Sequence, residues 1–281
     1  MKILNNIETT KQEVEIIKKN NQTIALVPTM GYLHEGHKSL IKEAKKIGDI
    51  VVISIFVNPL QFGENEDLDK YPKDFERDKN IAFELGVDYI FYPEEEEMYN
   101  NFKTFVEVRD LSQKMCGKTR PIHFTGVATV VLKLFNIIKP DYAVFGMKDA
   151  QQVRIIEKMV YDLNIDVEII RGEIIRESDG LAYSSRNKYL SQNERKDAIA
   201  LKEGLNYGKS LIQNGEKDVE KIKKSIIDFI LEKFSIKSID YISIVNFETL
   251  EEEDFVYTEV LLAGAIYIGT TRLIDNLLIK I

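Results

Sequence analysis

The apolar positions of this chain change period from one stretch to the next. Ile24 to Val27, Ile50-Val-Val-Ile-Ser-Ile-Phe56, Asp88-Tyr-Ile-Phe-Tyr92, Tyr142-Ala-Val-Phe-Gly146 and Val167 to Ile170 are nearly continuous runs of strand length, rich in β-branched and aromatic residues. Such runs are expected of strands covered on both faces. Between them the apolar residues recur at helical spacing, as in Leu40, Ile41, Ala44 and Ile47, or Val130, Val131, Leu134, Phe135 and Ile138 within 125–138. Further helices are predicted over about 8–20, 72–85 and 150–163, and a short strand from Phe105 to Val108; Glu94 to Glu97 reads as a solvated loop. Strand alternating with helix predicts an α/β fold built on a doubly wound parallel sheet. After Arg176 the pattern changes. A polar loop, Glu177 to Asn187, is followed by Ser191 and Glu194, which form a capping box for a long helix, by a charged helix over about 217–234, and by strands near 239–246 and 261–268. The chain is therefore expected to divide into a first domain, 1–176, and a smaller C-terminal α+β domain, 177–281.

The richest chemistry lies in Leu26-Val-Pro-Thr-Met-Gly-Tyr-Leu-His-Glu-Gly-His-Lys38. Pro28 is expected to stop the strand, Gly31 to allow a tight turn, and helical spacing to begin at His37. His34 and His37 then share one face of a first helical turn, beside backbone N–H groups that no intrahelical carbonyl satisfies. A phosphate suits that place, and Gly36 removes a side chain from its approach. Read from these residues alone, the pair would also serve a metal or a polar helix end, although the spacing of three is not that of the zinc-protease pattern. Only three histidines occur, and the third, His123, also lies in a segment containing Gly and Arg. Ligands of doubly wound sheets bind outside the carboxyl ends of the strands. The polar groups His34/His37, Asn58/Gln61 and Lys148/Asp149/Gln152 each follow a predicted strand, so they are expected to converge on one crevice.

Composition narrows the classes. With 44% hydrophobic and 30% charged residues the 281-residue chain has the balance of a water-soluble protein, and no apolar stretch is long enough to span a membrane. The first residues lack the apolar core of a secretory signal, so a cytoplasmic location is expected. Thirty-eight basic against 46 acidic residues, a net charge of −8, argue against a nucleic-acid surface. The single cysteine, Cys116, reads as a free structural thiol.

Taken together, the motifs carry a resemblance. His34-Glu-Gly-His37 after a strand resembles the HIGH motif of the nucleotidyl-transferring superfamily with a Rossmann-like sheet, and Tyr183-Ser-Ser-Arg-Asn187 resembles its KMSKS counterpart. Val57-Asn-Pro-Leu-Gln-Phe-Gly63, Arg120-Pro-Ile-His-Phe-Thr-Gly-Val127 and Phe145-Gly-Met-Lys-Asp149 narrow the likeness to the pantoate–β-alanine ligase family. The resemblance implies ATP-dependent condensation of pantoate with β-alanine through an enzyme-bound pantoyl adenylate, releasing AMP and pyrophosphate. The alternative is a nucleotidyltransferase of the same superfamily acting on another small acceptor. It implies that His34, His37, Lys148, Ser184, Ser185 and Arg186 act in catalysis. ATP would be bound by Met30, Gly31, Tyr32, Leu33, His34, Glu35, Gly36 and His37, by Gly146, Met147, Lys148 and Asp149, and by Ile175, Tyr183, Ser184, Ser185 and Arg186. Gln61, Gln152 and Asn58 would bind pantoate or β-alanine, while Arg120 and His123 are candidates for phosphate-side contacts. By the same resemblance ATP comes with Mg2+ as a substrate complex, no organic cofactor is tightly held, the metal ligands are left open, and the chain is expected to form a homodimer. The serine-rich loop is expected to order only when nucleotide arrives, because its polar groups have little else to pair with. Two departures from the family pattern, Ala150 after Lys148-Asp149 and Tyr183 before the serines, bear on pocket shape and remove no polar catalytic group.

Overall fold

The computed structural model describes residues 1–64 and 66–280. In chain order its main elements are β1 (Lys2–Leu4), α1 (Ile7–Lys19), β2 (Ile24–Thr29), α2 (Glu35–Ile47), β3 (Ile50–Ile55), α3 (Phe75–Glu84), β4 (Tyr89–Phe91), α4 (Glu95–Tyr99), α5 (Cys116–Thr119), α6 (His123–Ile138), β5 (Tyr142–Gly146), α7 (Ala150–Asp162), β6 (Glu168–Gly172), α8 (Gln192–Asp197), α9 (Ala200–Gln213), α10 (Val219–Lys233), β7 (Ser238–Asn246), β8 (Val260–Ile268) and β9 (Thr271–Ile279). Two compact units result. One comprises Met1–Ser112, Arg120–Met147 and Ile155–Glu173; the other takes Gln113–Thr119, Lys148–Arg154 and the chain from Ile174 onward.

The first unit is a parallel six-stranded sheet in the order β1-β4-β3-β2-β5-β6. The nearly continuous apolar runs form its inner strands, and Ile24, Ala25, Leu26 and Val27 are wholly buried, as both-sided cover requires. α2 packs its Leu40, Ile41 and Ala44 against Ala25, Val27, Val51 and Ile53. Pro28 does not end β2, which runs on to Thr29 with Pro28 opposite Ser54 of β3. Proline is tolerated there because β2 pairs with β5 only at Ala25 and Leu26, so Pro28 lies beyond its neighbour on that side. Two other sequence expectations change. Glu94–Glu97 opens α4, with Glu97 accepting a hydrogen bond from the Ile7 backbone at 2.7 Å, and 105–108 forms no strand.

The second unit has an antiparallel sheet β7-β8-β9 packed beneath α9 and α10, with a core that includes Leu201, Leu205, Ile222, Ile226, Ile244 and Leu262. The Ser191–Glu194 capping box forms, but the helix it starts ends at Asp197 and a new one begins at Ala200. β9 does not show in the sequence as an apolar alternation, because Asp275 and Asn276 interrupt it. Both side chains are nonetheless buried. No described helix is long and apolar enough to cross a membrane.

Candidate active site

In the first unit, β2 delivers the chain into a loop that requires two successive left-handed residues, Gly31 at φ +82° and Tyr32 at φ +51°. A side chain at Gly31 would be strained by that φ and would place its Cβ 3.0 Å from Asp78 Oδ2 and from Ile55. Asp78, projecting from α3 and 1% exposed, holds the loop: its carboxylate accepts the backbone N–H groups of Tyr32 at 2.6 Å and Leu33 at 2.7 Å. The neighbouring Arg77 donates to the Leu33 carbonyl at 2.8 Å and lies over the Tyr32 ring. Burial raises the Asp78 pKa despite the opposing effect of its two backbone donors and of Arg77. The N–H groups of Tyr32 and Leu33 are thus committed within the protein, and Leu33 itself is fully buried.

α2 begins at Glu35, two residues before the start that the apolar spacing indicated, with His34 as its N-cap. The His34 backbone N–H donates to His37 Nδ1 at 3.3 Å. That bond requires an unprotonated Nδ1, so a neutral His37 ring carries its proton on Nε2 and offers it as a donor. The centroids of the two imidazole rings lie 4.0 Å apart. Glu35 pairs with Lys38 at 2.7 Å, so its contribution to an anion is its backbone N–H, alongside that of Gly36. Gly146 is the last residue of β5, and Met147 follows it.

The turn after β3 carries Asn58 and Gln61. Gln61 Nε2 reaches Met30 Sδ at 3.0 Å, which joins this turn to the loop before α2. Asn58 is 1% exposed and hydrogen-bonded entirely to protein groups. Gly126 of α6 seats the turn, since a Cβ there would run into the Leu60 carbonyl and lie 2.5 Å from the Gln61 backbone nitrogen. Arg120 and His123 meet the same turn. Arg120 forms a two-pronged pair with Glu66 at 2.7 and 2.6 Å, and both Arg120 Nη2 and His123 Nδ1 approach the Gln61 carbonyl, at 3.3 and 2.9 Å. Arg120 is accordingly neutralised within the protein.

Burial pushes the Glu66 pKa up, but Arg120, the Gly63 backbone and His123 together outweigh it and the net shift is downward. A carboxylate depressed in the folded state adds stability above its unfolded pKa and loses it as pH falls through the folded one. The stability difference between wild type and Glu66→Gln is therefore expected to shrink as urea unfolding is repeated from pH 7 towards pH 3. A difference that is constant or grows on acidification would contradict the pairing.

The second unit carries the remaining candidates. Lys148 and Asp149 end a 3-10 turn, Lys148 Nζ lies 4.0 Å from Asp149 Oδ2, and the Lys148 carbonyl accepts from Asn276 Nδ2 at 3.0 Å. On the following helical turn, Gln151 is buried and bonded to the backbone of Lys114 and Cys116, whereas Gln152 is half-buried. Cys116 is a buried free thiol. The expectation that the serine loop lacks partners does not hold. Ser184 caps a 3-10 turn, Ser185–Tyr189, accepting from the Arg186 N–H at 3.3 Å, and Ser185 is buried. Asn187 donates to Glu177 and to the Ala182 carbonyl, Tyr183 N–H donates to Ile175 at 3.0 Å, and Arg176 grips the buried Asp275 with bonds of 2.6 and 2.9 Å. Among the described residues no group of three His, Cys, Asp or Glu is placed to hold a metal by itself.

Asp78, Arg77, Glu66, Asp275 and Tyr99, whose hydroxyl donates to Asn58 Oδ1 at 2.7 Å, build these sites without any sequence signal that marks them. Their sequence neighbourhoods look like solvated charge runs or strand punctuation, and their partners are distant along the chain.

Comparison with known proteins gives a consistent result. The family model for pantoate-beta-alanine ligase matches residues 2–278. A pantothenate synthetase of Caldicellulosiruptor saccharolyticus is 56% identical over 282 residues, covering 100% of both chains. One from Thermotoga petrophila is 52% identical, over 98% of this chain and 99% of its own. Among solved structures, pantothenate synthetase from Thermus thermophilus matches with a TM-score of 0.93 at 39% identity over 99% of each chain. Pantoate-beta-alanine ligase from Francisella tularensis, complexed with beta-gamma ATP and beta-alanine, matches with a TM-score of 0.80 at 36% identity, over 99% of this chain and 97% of its own.

Proposed function

This chain belongs to the pantoate–β-alanine ligase family, and from that premise we infer that it condenses pantoate with β-alanine at the expense of ATP, by way of a pantoyl adenylate. The observation that carries the residue-level reading is the contact between Gln61 and Met30, which brings a fixed amide to the loop that opens the His34–His37 helix.

Chemically, a pantoate carboxylate oxygen attacks the α-phosphorus, the bond to the bridging oxygen breaks, and pyrophosphate departs. The β-alanine amine then attacks the acyl carbon and AMP leaves. No protein nucleophile is needed, so the work is positioning and stabilising charge on phosphate oxygens. His37 donates from Nε2 to the leaving phosphate, with His34 holding Nδ1. The N–H groups of Glu35 and Gly36 add the field of the helix N-terminus. Asp78 keeps Met30 to Leu33 in the shape that puts His34 at the N-cap. Gly146, Met147, Asp149, Ile175 and Tyr183 are assigned to the nucleotide, and Lys148, Ser184, Ser185 and Arg186 supply further donors for its phosphates. Gln61 and Gln152 are assigned to pantoate, Gln61 also near the place of β-alanine; Asn58, being buried, takes part through Gln61.

Mg2+ enters with ATP as part of the substrate, an ion that keeps most of its waters and takes phosphate oxygens rather than a cage of carboxylates. Asp149, half-exposed on the Lys148 turn, suits a water-mediated contact to it. We assign a cytoplasmic, homodimeric state on the family likeness.

Pantoate and ATP without β-alanine should release pyrophosphate and leave a bound acyl adenylate, because the carboxylate must be activated before an amine can displace AMP. Single-turnover pyrophosphate release with mass spectrometry of the retained adenylate tests this. A strict requirement for β-alanine would rule out the two-step order, and no pantothenate from the complete mixture would rule out the function.

A further inference from the structure

We propose that Tyr99 is a positioning residue for pantoate, acting through Asn58 to fix which end of the Gln61 amide the substrate meets. The proposal rests on the assignment of Gln61 to pantoate and adds a residue outside every motif that led to it.

Asn58 has four hydrogen-bond partners. Its Nδ2 donates to Gln61 Oε1 and to the Gly126 carbonyl, both at 3.1 Å, and its Oδ1 accepts from the Tyr99 hydroxyl at 2.7 Å and from the Leu60 N–H at 3.3 Å. Two of these partners are backbone groups of fixed polarity: Leu60 N–H can only donate and the Gly126 carbonyl can only accept. They orient the Asn58 amide, and Asn58 in turn presents a donor to Gln61. Gln61 must answer with Oε1, which leaves Nε2 as the end available to a ligand. Its present neighbour on that side, Met30 Sδ, is a weak acceptor that an oxygen would better replace. Gln61 therefore recognises an acceptor, a carboxylate or hydroxyl oxygen of the hydroxy acid.

Tyr99 makes this orientation firm. Its bond is the shortest of the four, and without it Oδ1 keeps only the long contact to Leu60. The ring is held independently by Phe56 and Phe102, at 5.8 and 5.1 Å between centroids, so the hydroxyl is aimed by packing rather than by Asn58. Burial raises the Tyr99 pKa, which keeps the group a neutral donor.

Tyr99→Phe preserves the ring contacts and removes only the hydroxyl. It is expected to raise the pantoate KM about fivefold to tenfold, the scale of one neutral hydrogen bond, with the ATP KM unmoved. In the Gln61→Ala background the same substitution should add nothing, because there is no amide left to orient. Circular dichroism and urea unfolding confirm that each variant is folded. If Tyr99→Phe leaves the pantoate KM unchanged while Gln61→Ala raises it, or if the two effects multiply in the double variant, the relay is wrong and the Gln61 assignment stands. If Gln61→Ala itself leaves the pantoate KM unchanged, the assignment falls and the relay with it. Should Tyr99→Phe not fold, Asn58→Asp takes its place: it sets an oxygen against Gln61 Oε1, and an unchanged pantoate KM in that variant overturns the proposal.

Discussion

Alanine in place of His37 is expected to slow pyrophosphate release from ATP and pantoate by about two to three powers of ten, the range of a lost oxyanion donor. The dissociation constant for ATP should change far less. The reason lies in which nitrogen is occupied. His37 Nδ1 already accepts the His34 N–H, so the proton of the neutral ring sits on Nε2, and on the proposed assignment a hydrogen bond from it would gain strength as the bridging oxygen becomes anionic. His37→Gln should recover part of the rate, because its amide can also donate. Removing the ring also removes an acceptor at the helix start, worth about 1 kcal/mol of stability, so unfolding measurements must accompany the kinetics. Adenylation by folded His37→Ala at near wild-type speed in a pre-steady-state assay would dismiss the leaving-group role and leave His37 as a cap alone.

A comparably large effect, of a different kind, is expected at Asp78. Alanine there strands the buried Leu33 N–H and the part-buried Tyr32 N–H, each costing about 1–3 kcal/mol, so Asp78→Ala should lose about 2–4 kcal/mol in urea unfolding. The ATP KM should rise with it, because the left-handed turn at Gly31 and Tyr32 loses what holds it and His34 no longer meets His37 at a fixed distance. Asp78→Asn should be intermediate, since an amide can accept one N–H but turns its own donors towards the other. Unchanged unfolding and an unchanged ATP KM in Asp78→Ala would show that the loop holds its shape unaided.

These residues also mark where the sequence can be read and where it cannot. His34 and His37 are legible because their chemistry is local: two imidazoles three apart on a first helical turn need no distant partner to be recognised. The parallel sheet is legible because strands covered on both faces are written as unbroken apolar runs. Asp78 is not, since the groups it holds are 46 and 45 residues away and its own helix reads as an ordinary charged surface. Asn58 is expected beside the substrate, and its burial cannot be foreseen without Tyr99 and Gly126, which come from two separate helices. Asp275 and Asn276 hide the last strand by breaking its alternation. The break has a physical purpose, as these side chains bind Arg176 and the Lys148 carbonyl.

The pairing of β2 has a consequence for the order in which the molecule can assemble. The strand is joined on one side to β3, close behind it in the chain, but on the other to β5, and the Asp141 carboxylate that accepts from the Ile24 N–H at 2.6 Å is 117 residues away. Closing a loop of that length costs chain entropy before any contact returns it, and parallel strands offer no shorter route. During that interval the β5 side of β2 is an open edge, apolar and extended, the kind of surface on which two partly folded chains can pair with each other. Pro28 lies near the end of that strand, just past the last residue that β5 will cover. It has no N–H to offer a stray strand, so the residue that marks the way into the histidine loop also shortens the edge along which newly made chains could aggregate.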